Sequence, residues 1–185
     1  MLSVPLKRID GIALSLRLVE VQDAKYIHRL RLNPRYNSYL SKVTGTVSDQ
    51  EDWIRSYKSR EAAGHELYYV VERITDSVRC GLVRLYDMTS NRFTWGSWIL
   101  DENKPPKAAL ESAVLSFGVG FTQLELLTAD IDVRNDNVKA RRFYERLGMT
   151  FLSANGTDSF YEYSRSRFMS DLEGHMEIIR TAQNA

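Results

Sequence analysis

The stretch NDNVKARRFYERLG, residues 135–148, sets two asparagines before a short basic helix and a tyrosine two turns along it. The side-chain oxygen of Asn135 or Asn137 suits the helix entrance, where it can accept a backbone N–H. Gly148 suits the left-handed position after the last turn. Between them Tyr144 offers a phenol that stays protonated at neutral pH and can donate its proton. The same residues also make an ordinary capped amphipathic helix with a core tyrosine, and the local pattern fits both readings. A second group is KPPK, residues 104–107, where two ammonium groups flank two prolines at a helix start.

Other reactive types are sparse. The one cysteine, Cys80, lies in the strand-like VRCGLVRLY and reads as a small buried thiol. A single cysteine builds neither a disulfide framework nor a cysteine-based zinc site, and no metal is expected. His28 and His65 fall at surface positions. His175, near the C-terminus, has no evident partner.

The elements that position these residues follow from periodicity. ALSLRLVEV alternates as a strand, and Asp23 opens a helix with Ala24, Ile27 and Leu30 on one face. Asn33-Pro34 stops it, and RYNSYLSKVTGT reads as a loop. Ser48 and Glu51 form a capping box for a helix that buries Trp53, Ile54 and Tyr57 and ends at Gly64. ELYYVVER, SVRCGLVRLYDM and RFTWGSWIL follow as three antiparallel strands. A helix runs from about Lys107 to Gln123, then come the buried strand LLTADIDV and the helix of the opening motif. MTFLSA and SFYEYS flank an NGTD turn, and a helix over 167–182 ends the chain. The order predicts one α/β (α+β) domain over residues 1–185, with a mixed sheet of about seven strands flanked by helices.

Composition narrows the function. The chain has 185 residues, 43% apolar and 26% charged, enough for a real core. A net charge of +1 argues against a nucleic-acid binder driven by bulk electrostatics. No apolar run approaches a membrane span, and MLSVPLKRID lacks the apolar stretch of a signal peptide. A cytoplasmic location without membrane attachment is the expectation, and a homodimer is admissible.

The order of elements and two motifs resemble the GNAT acetyltransferase superfamily. Its stronger pattern has Asn, Ala, Tyr, Leu, Gly and an apolar residue at set spacings, matched here by Asn137, Ala140, Tyr144, Leu147, Gly148 and Met149. The resemblance covers about residues 15–165 and implies acetyl-CoA as cosubstrate. The cofactor would insert where two parallel strands, WGSWIL and TADIDV, splay apart. The resemblance implies that Asn137 contacts the pantetheine arm or positions its loop, and that Phe143 packs beneath the cofactor. Tyr144 would act as general acid toward the thiolate, and backbone N–H near Ile99 and Leu100 would meet the acetyl carbonyl. The second motif holds the pyrophosphate on backbone N–H groups at a helix start, and its register places Lys104, Lys107 and Ala109 there. Lysine replaces a glycine, and Pro105 and Pro106 have no N–H to give. The remaining donors are the amides of Lys107, Ala108 and Ala109, with the two ammonium groups as added attraction. This departure keeps open a second class, a GNAT fold that binds CoA or a partner without catalysis.

The N-terminal half, with GLVRLYD and WGSWIL, resembles the branch that acetylates amino sugars, such as the 4-amino sugar on a nucleotide carrier in pseudaminic acid synthesis. A nucleotide-linked amino sugar is the implied acceptor. The alternative is the N-terminus of a ribosomal protein. Tyr36, Tyr39, Tyr86, Trp95 and Trp98 fall near the expected acceptor side, where aromatic faces stack on sugars and bases. Tyr86, Asp87 and Trp95 are the substrate-binding candidates, and Arg31, Arg35 or Lys42 would meet a diphosphate. The general base stays open among Asp87, Glu72 and a water chain.

Overall fold

A computed structural model of the protein describes residues 4–40 and 43–181. Lys42 lies outside them. After a 3-10 turn, β1 (Arg8–Asp10) and β2 (Leu14–Leu18) form the first hairpin. Helices α1 (Ala24–Leu32), α2 (Pro34–Asn37) and α3 (Val47–Ala62) follow. Strands β3 (Leu67–Arg73), β4 (Arg79–Tyr86) and β5 (Arg92–Leu100) lead to α4 (Ala108–Gly118), which ends in a wider turn over Val119–Gln123. The chain closes with β6 (Thr128–Arg134), α5 (Val138–Leu147), β7 (Thr150–Ala154), β8 (Asp158–Ser164) and α6 (Arg165–Thr181). One sheet of eight strands, in the order β1-β2-β3-β4-β5-β6-β8-β7, carries all of these helices. Every pairing is antiparallel except β5 with β6.

Alternation along the strands builds two layers. On one face Leu14, Leu16, Tyr69, Val71, Phe93 and Trp95 pack with Phe117 of α4, Tyr144 and Leu147 of α5, and Phe168 of α6. On the other, Tyr68, Val70, Leu82 and Ile99 pack with Ile27 and Leu30 of α1 and with Ile54 and Tyr57 of α3.

Several local readings differ from the structure. The eighth strand is the short β1, too brief for periodicity to reveal. Pro34 does stop α1, but Asn33 then caps the single turn α2 by accepting the Arg35 N–H at 2.9 Å. The capping box of α3 is formed by Thr46 and Asp49, two residues ahead of Ser48 and Glu51: Asp49 Oδ2 accepts the Thr46 N–H at 2.6 Å. Two Thr/Ser-x-x-acid patterns overlap there, and the earlier one lengthens the helix. Asp23 stands at the entrance of α1 as expected, but its side chain caps the preceding 3-10 turn and not α1. Its buried carboxylate takes Arg17 at 2.9 Å and the Glu20 N–H at 2.9 Å, tying the entrance of α1 to β2. No helix among the described residues is long and apolar enough to cross a membrane.

One buried side chain anchors α4. Glu111 Oε1 accepts the N–H groups of Ile12, Ala13 and Leu14 at 2.6, 2.8 and 3.1 Å. Ile12 and Ala13 belong to the β1–β2 turn and Leu14 opens β2, so these donors lie where the hairpin ladder ends. Glu111→Ala would orphan them in a buried place, so it should cost about 2–5 kcal/mol of stability in urea unfolding.

Candidate active site

The parallel pair is short. β5 and β6 register at Arg92 with Thr128, Phe93 with Ala129 and Thr94 with Asp130, and no further. Beyond Thr94 each strand keeps its outer partner only: β5 stays on β4 as far as Leu100, and β6 stays on β8 as far as Arg134. The strands therefore part, and a cleft of about 460 Å³ opens between them and the start of α5.

β5 itself is irregular. Leu82 faces Ile99, but Arg84 faces Gly96, so β5 carries one extra residue, with Ser97 in the left-handed region at φ 49°. This β-bulge reverses the alternation. Without it, Trp95 and Trp98 would point to opposite faces. With it, both indoles lie on the α4 face, their centroids 5.1 Å apart. Trp95 donates to Ser116 Oγ at 2.8 Å and Trp98 to Ser112 Oγ at 3.1 Å, one turn apart on α4. The Asp101 N–H bonds to the Cys80 carbonyl at 2.9 Å. By the two-residue period of an antiparallel ladder, the Ile99 N–H then turns to β4, while the Trp98 and Leu100 N–H groups turn to the side that β6 has left. Of the two residues expected to meet an acetyl carbonyl, Leu100 has its N–H on the cleft side, and that of Ile99 is spent on the sheet.

The opposite wall comes from α5. Asn137 Oδ1 caps it by accepting the Ala140 N–H at 3.2 Å, and the cap itself borders the cleft. Gly148 closes it at φ 94°, where a side chain would also meet Asp171. Phe143 stacks on Trp98 at 5.1 Å, so these rings bridge the two walls. Tyr144 meets the edge of Trp95 at 6.0 Å. Its hydroxyl makes no hydrogen bond among the described residues, and the residue lines the cleft. Burial pushes its pKa well above the ordinary phenol value, helped by the nearby Asp132 carboxylate and Tyr161. The phenol thus keeps its proton through the neutral range.

At the start of α4, Lys107 is left-handed at φ 59°, and the Ala108 N–H goes to the Pro105 carbonyl at 3.3 Å. Ala108 is buried and its amide is occupied, so it drops out of the expected donor set. The Ala109 and Leu110 N–H groups keep no acceptor among the described residues, and Ala109 borders the cleft. Lys104 and Lys107 do not line it; Lys104 Nζ lies 3.5 Å from the Asp101 carbonyl. The cations that do line it are Arg35, Lys139 and Arg146, none in an ion pair among the described residues. The sequence reading missed the last two, although Lys139, Phe143 and Arg146 recur at helical spacing on the basic helix.

A second cavity, about 300 Å³, lies across β5 between α1, α3 and β4. Its chemistry comes from Arg31, Asp49, Gln50, Trp53, Tyr68 and Arg84. Arg84 lies over the Trp53 ring at 5.3 Å and pairs with the buried Glu66, which Arg60 also binds. Of these, only Arg31 was legible beforehand. Trp53 had been read as core, and it is half-buried.

The three substrate candidates scatter. Trp95 is 1% exposed, with Phe117 stacked on it at 4.8 Å, so no ring face is left for an acceptor. Tyr86 borders neither cavity; burial and then Asp132 push its hydroxyl up to about 12. Asp87 is exposed at φ 50° and lines neither cavity. Glu72, a candidate base, is buried and held by Arg17 at 2.9 Å and Arg8 at 3.4 Å. The carboxylates at the cavities are instead Asp132 in the cleft and Asp49 in the second cavity. No group of three metal-ligating side chains occurs among the described residues.

A parted parallel strand pair, a capped helix against the gap and a bulged strand between two cavities define an acetyltransferase fold. Residues 13–150 match the model of the acetyltransferase (GNAT) domain, and the chain belongs to that family. Among solved structures it is similar to apo FdhC, described as a nucleotide-linked sugar GNAT, with 38% identity over 89% of this chain and 93% of that one and a TM-score of 0.82. It is also similar to spermidine N-acetyltransferase from Vibrio cholerae, in complex with CoA and spermine, at 22% identity over 85% and 98% and a TM-score of 0.74. A putative ribosomal-protein-serine acetyltransferase from Vibrio cholerae follows at 16% identity over 88% and 99% and a TM-score of 0.69. The last two likenesses are of fold alone. No curated protein sequence matches the chain. The protein is an acyltransferase.

The cap bond of Asn137 stands apart from the core packing of α5. Asn137→Ala should therefore lower stability by about 1 kcal/mol, read as a lower melting temperature with the fold kept.

Proposed function

We propose that the protein moves the acetyl group of acetyl-CoA to the amine of a nucleotide-linked amino sugar. The observation that carries this reading is the make-up of the second cavity. Two arginines, an amide and the half-buried Trp53 ring border it, against one carboxylate, with Tyr68 buried in its wall. A polyamine would need several carboxylates there, and a nucleotide diphosphate needs cations and ring faces. The likeness to FdhC supports the same acceptor class.

In this reading the thioester lies in the cleft, with its carbonyl toward the Leu100 N–H and its sulfur toward Tyr144. The amine, deprotonated, attacks from the second cavity; the C–N bond forms and the C–S bond breaks. Tyr144 gives its proton to the leaving thiolate and regains one from solvent. Its raised pKa suits a donor, because the acid form persists well above neutral pH. The phosphates of CoA meet the open amides of Ala109 and Leu110, and Arg35, Lys139 and Arg146 add attraction that salt screens.

Tyr144→Phe keeps the ring and removes the proton. Turnover should fall by about ten- to ten-thousand-fold. The thermal shift given by acetyl-CoA should stay at its wild-type size, since that shift reports affinity for the native state. Wild-type turnover in this variant would return Tyr144 to a packing role.

The acceptor is tested by competition. UDP- and dTDP-linked amino sugars, spermidine and a peptide with a free N-terminus are offered at equal concentration, and CoA release is followed with product analysis. Nucleotide-linked sugars should be the acetylated products. Acetylation of the peptide or of spermidine, with the sugars untouched, would refute the sugar reading and leave the family assignment in place.

A further inference from the structure

We infer that the side chain of Ser97 is the group that aligns the acceptor amine for attack. Ser97 is the one residue that lines both cavities among the described residues, so it stands where an amine entering from one side meets a thioester on the other. Three features of the residue bear on its purpose. It holds φ 49°, a backbone conformation that glycine adopts freely and serine only at a cost. It is half-buried, so the hydroxyl contributes nothing to the core. That hydroxyl makes no hydrogen bond among the described residues, so local structure does not explain it. A bulge in this conformation would by itself be served better by glycine. A serine kept in a strained conformation, with an idle hydroxyl at the junction, points to a ligand contact.

The hydroxyl oxygen accepts one N–H of the incoming amine, and this aims the nitrogen lone pair at the carbonyl carbon. As the C–N bond forms and the C–S bond breaks, the nitrogen loses one proton to water and the sulfur gains one. Ser97 keeps its own proton throughout and carries no charge at any stage. Its contribution is orientation, which bears on the rate with the amine and not on the cofactor. This inference rests on the acetyl transfer that the family performs, not on which amine is the acceptor.

Glycine provides the test, because it retains the left-handed backbone and removes only the hydroxyl. Ser97→Gly and Ser97→Ala are compared with wild type, using as acceptor whichever amine the wild type turns over. Acetyl-CoA affinity is measured by calorimetry, and the pH profile of kcat/KM for the amine is recorded. In Ser97→Gly, kcat/KM for the amine should fall roughly tenfold, the worth of one hydrogen bond. The acetyl-CoA Kd should stay unchanged, and the pH profile should drop in height without moving along the pH axis. Ser97→Ala should lose at least as much, since alanine keeps the backbone cost. Wild-type kcat/KM in Ser97→Gly would overturn the inference. So would a matching loss of acetyl-CoA affinity, because the residue would then act through the shape of the cleft.

Discussion

One extra residue in β5 sets the geometry on which the site depends. The bulge at Ser97 lets Trp95 and Trp98 share a face, so that each indole can donate to a serine on consecutive turns of α4. Those two bonds hold β5 to the helix at the point where it loses its parallel neighbour. The same shift in alternation turns the Leu100 N–H toward the gap. It also brings Ser97 to the boundary of both cavities. A regular strand at this place would point one indole to each face and leave the two cavities without a shared residue.

Side-chain bonds between elements brace the turns on which the site rests. Glu111 meets the amides of the β1–β2 turn from α4. Tyr26 of α1 donates to Asp101 at 2.9 Å, and Asp101 in turn accepts the Asn103 N–H at 2.8 Å, which shapes the turn leading to α4. Tyr36 of α2 donates to Glu102. Helices α1 and α2 are thus both bonded to the loop that leads from β5 to α4. The prolines of KPPK suit this arrangement. They end the loop and start α4 where, among the described residues, the amides of Lys107, Ala109 and Leu110 stay open.

Charge divides the two regions. The cleft holds three cations that form no ion pair among the described residues, with Asp132 as its carboxylate. In the second cavity Arg84 is held by rings and a carboxylate, standing between Trp53, Tyr86 and Glu66. A guanidinium pre-set in this way loses less freedom on meeting a ligand than a free side chain would.

By itself the sequence determined the parts that depend on near neighbours along the chain. Asn137 caps α5, and Gly148 ends it, because capping is decided within one turn. The strand–helix order, and with it the family, was legible for the same reason. The parallel pair was implied by the family resemblance, and its strands do part as expected. What lay beyond the sequence was every property that depends on a partner strand. WGSW reads as plain alternation until β4 supplies the register, so the bulge, the burial of Trp95 and the place of Ser97 became visible only in the fold. The second cavity joins Arg31, Trp53, Tyr68 and Arg84, which lie far apart in the chain and meet only because α1 and α3 pack on one face of the sheet. Lys104 and Lys107 sat in the expected motif, yet the left-handed turn at Lys107 starts α4 without bringing either ammonium to the cleft. Local rules choose caps and elements; register and packing choose which side chains face one another.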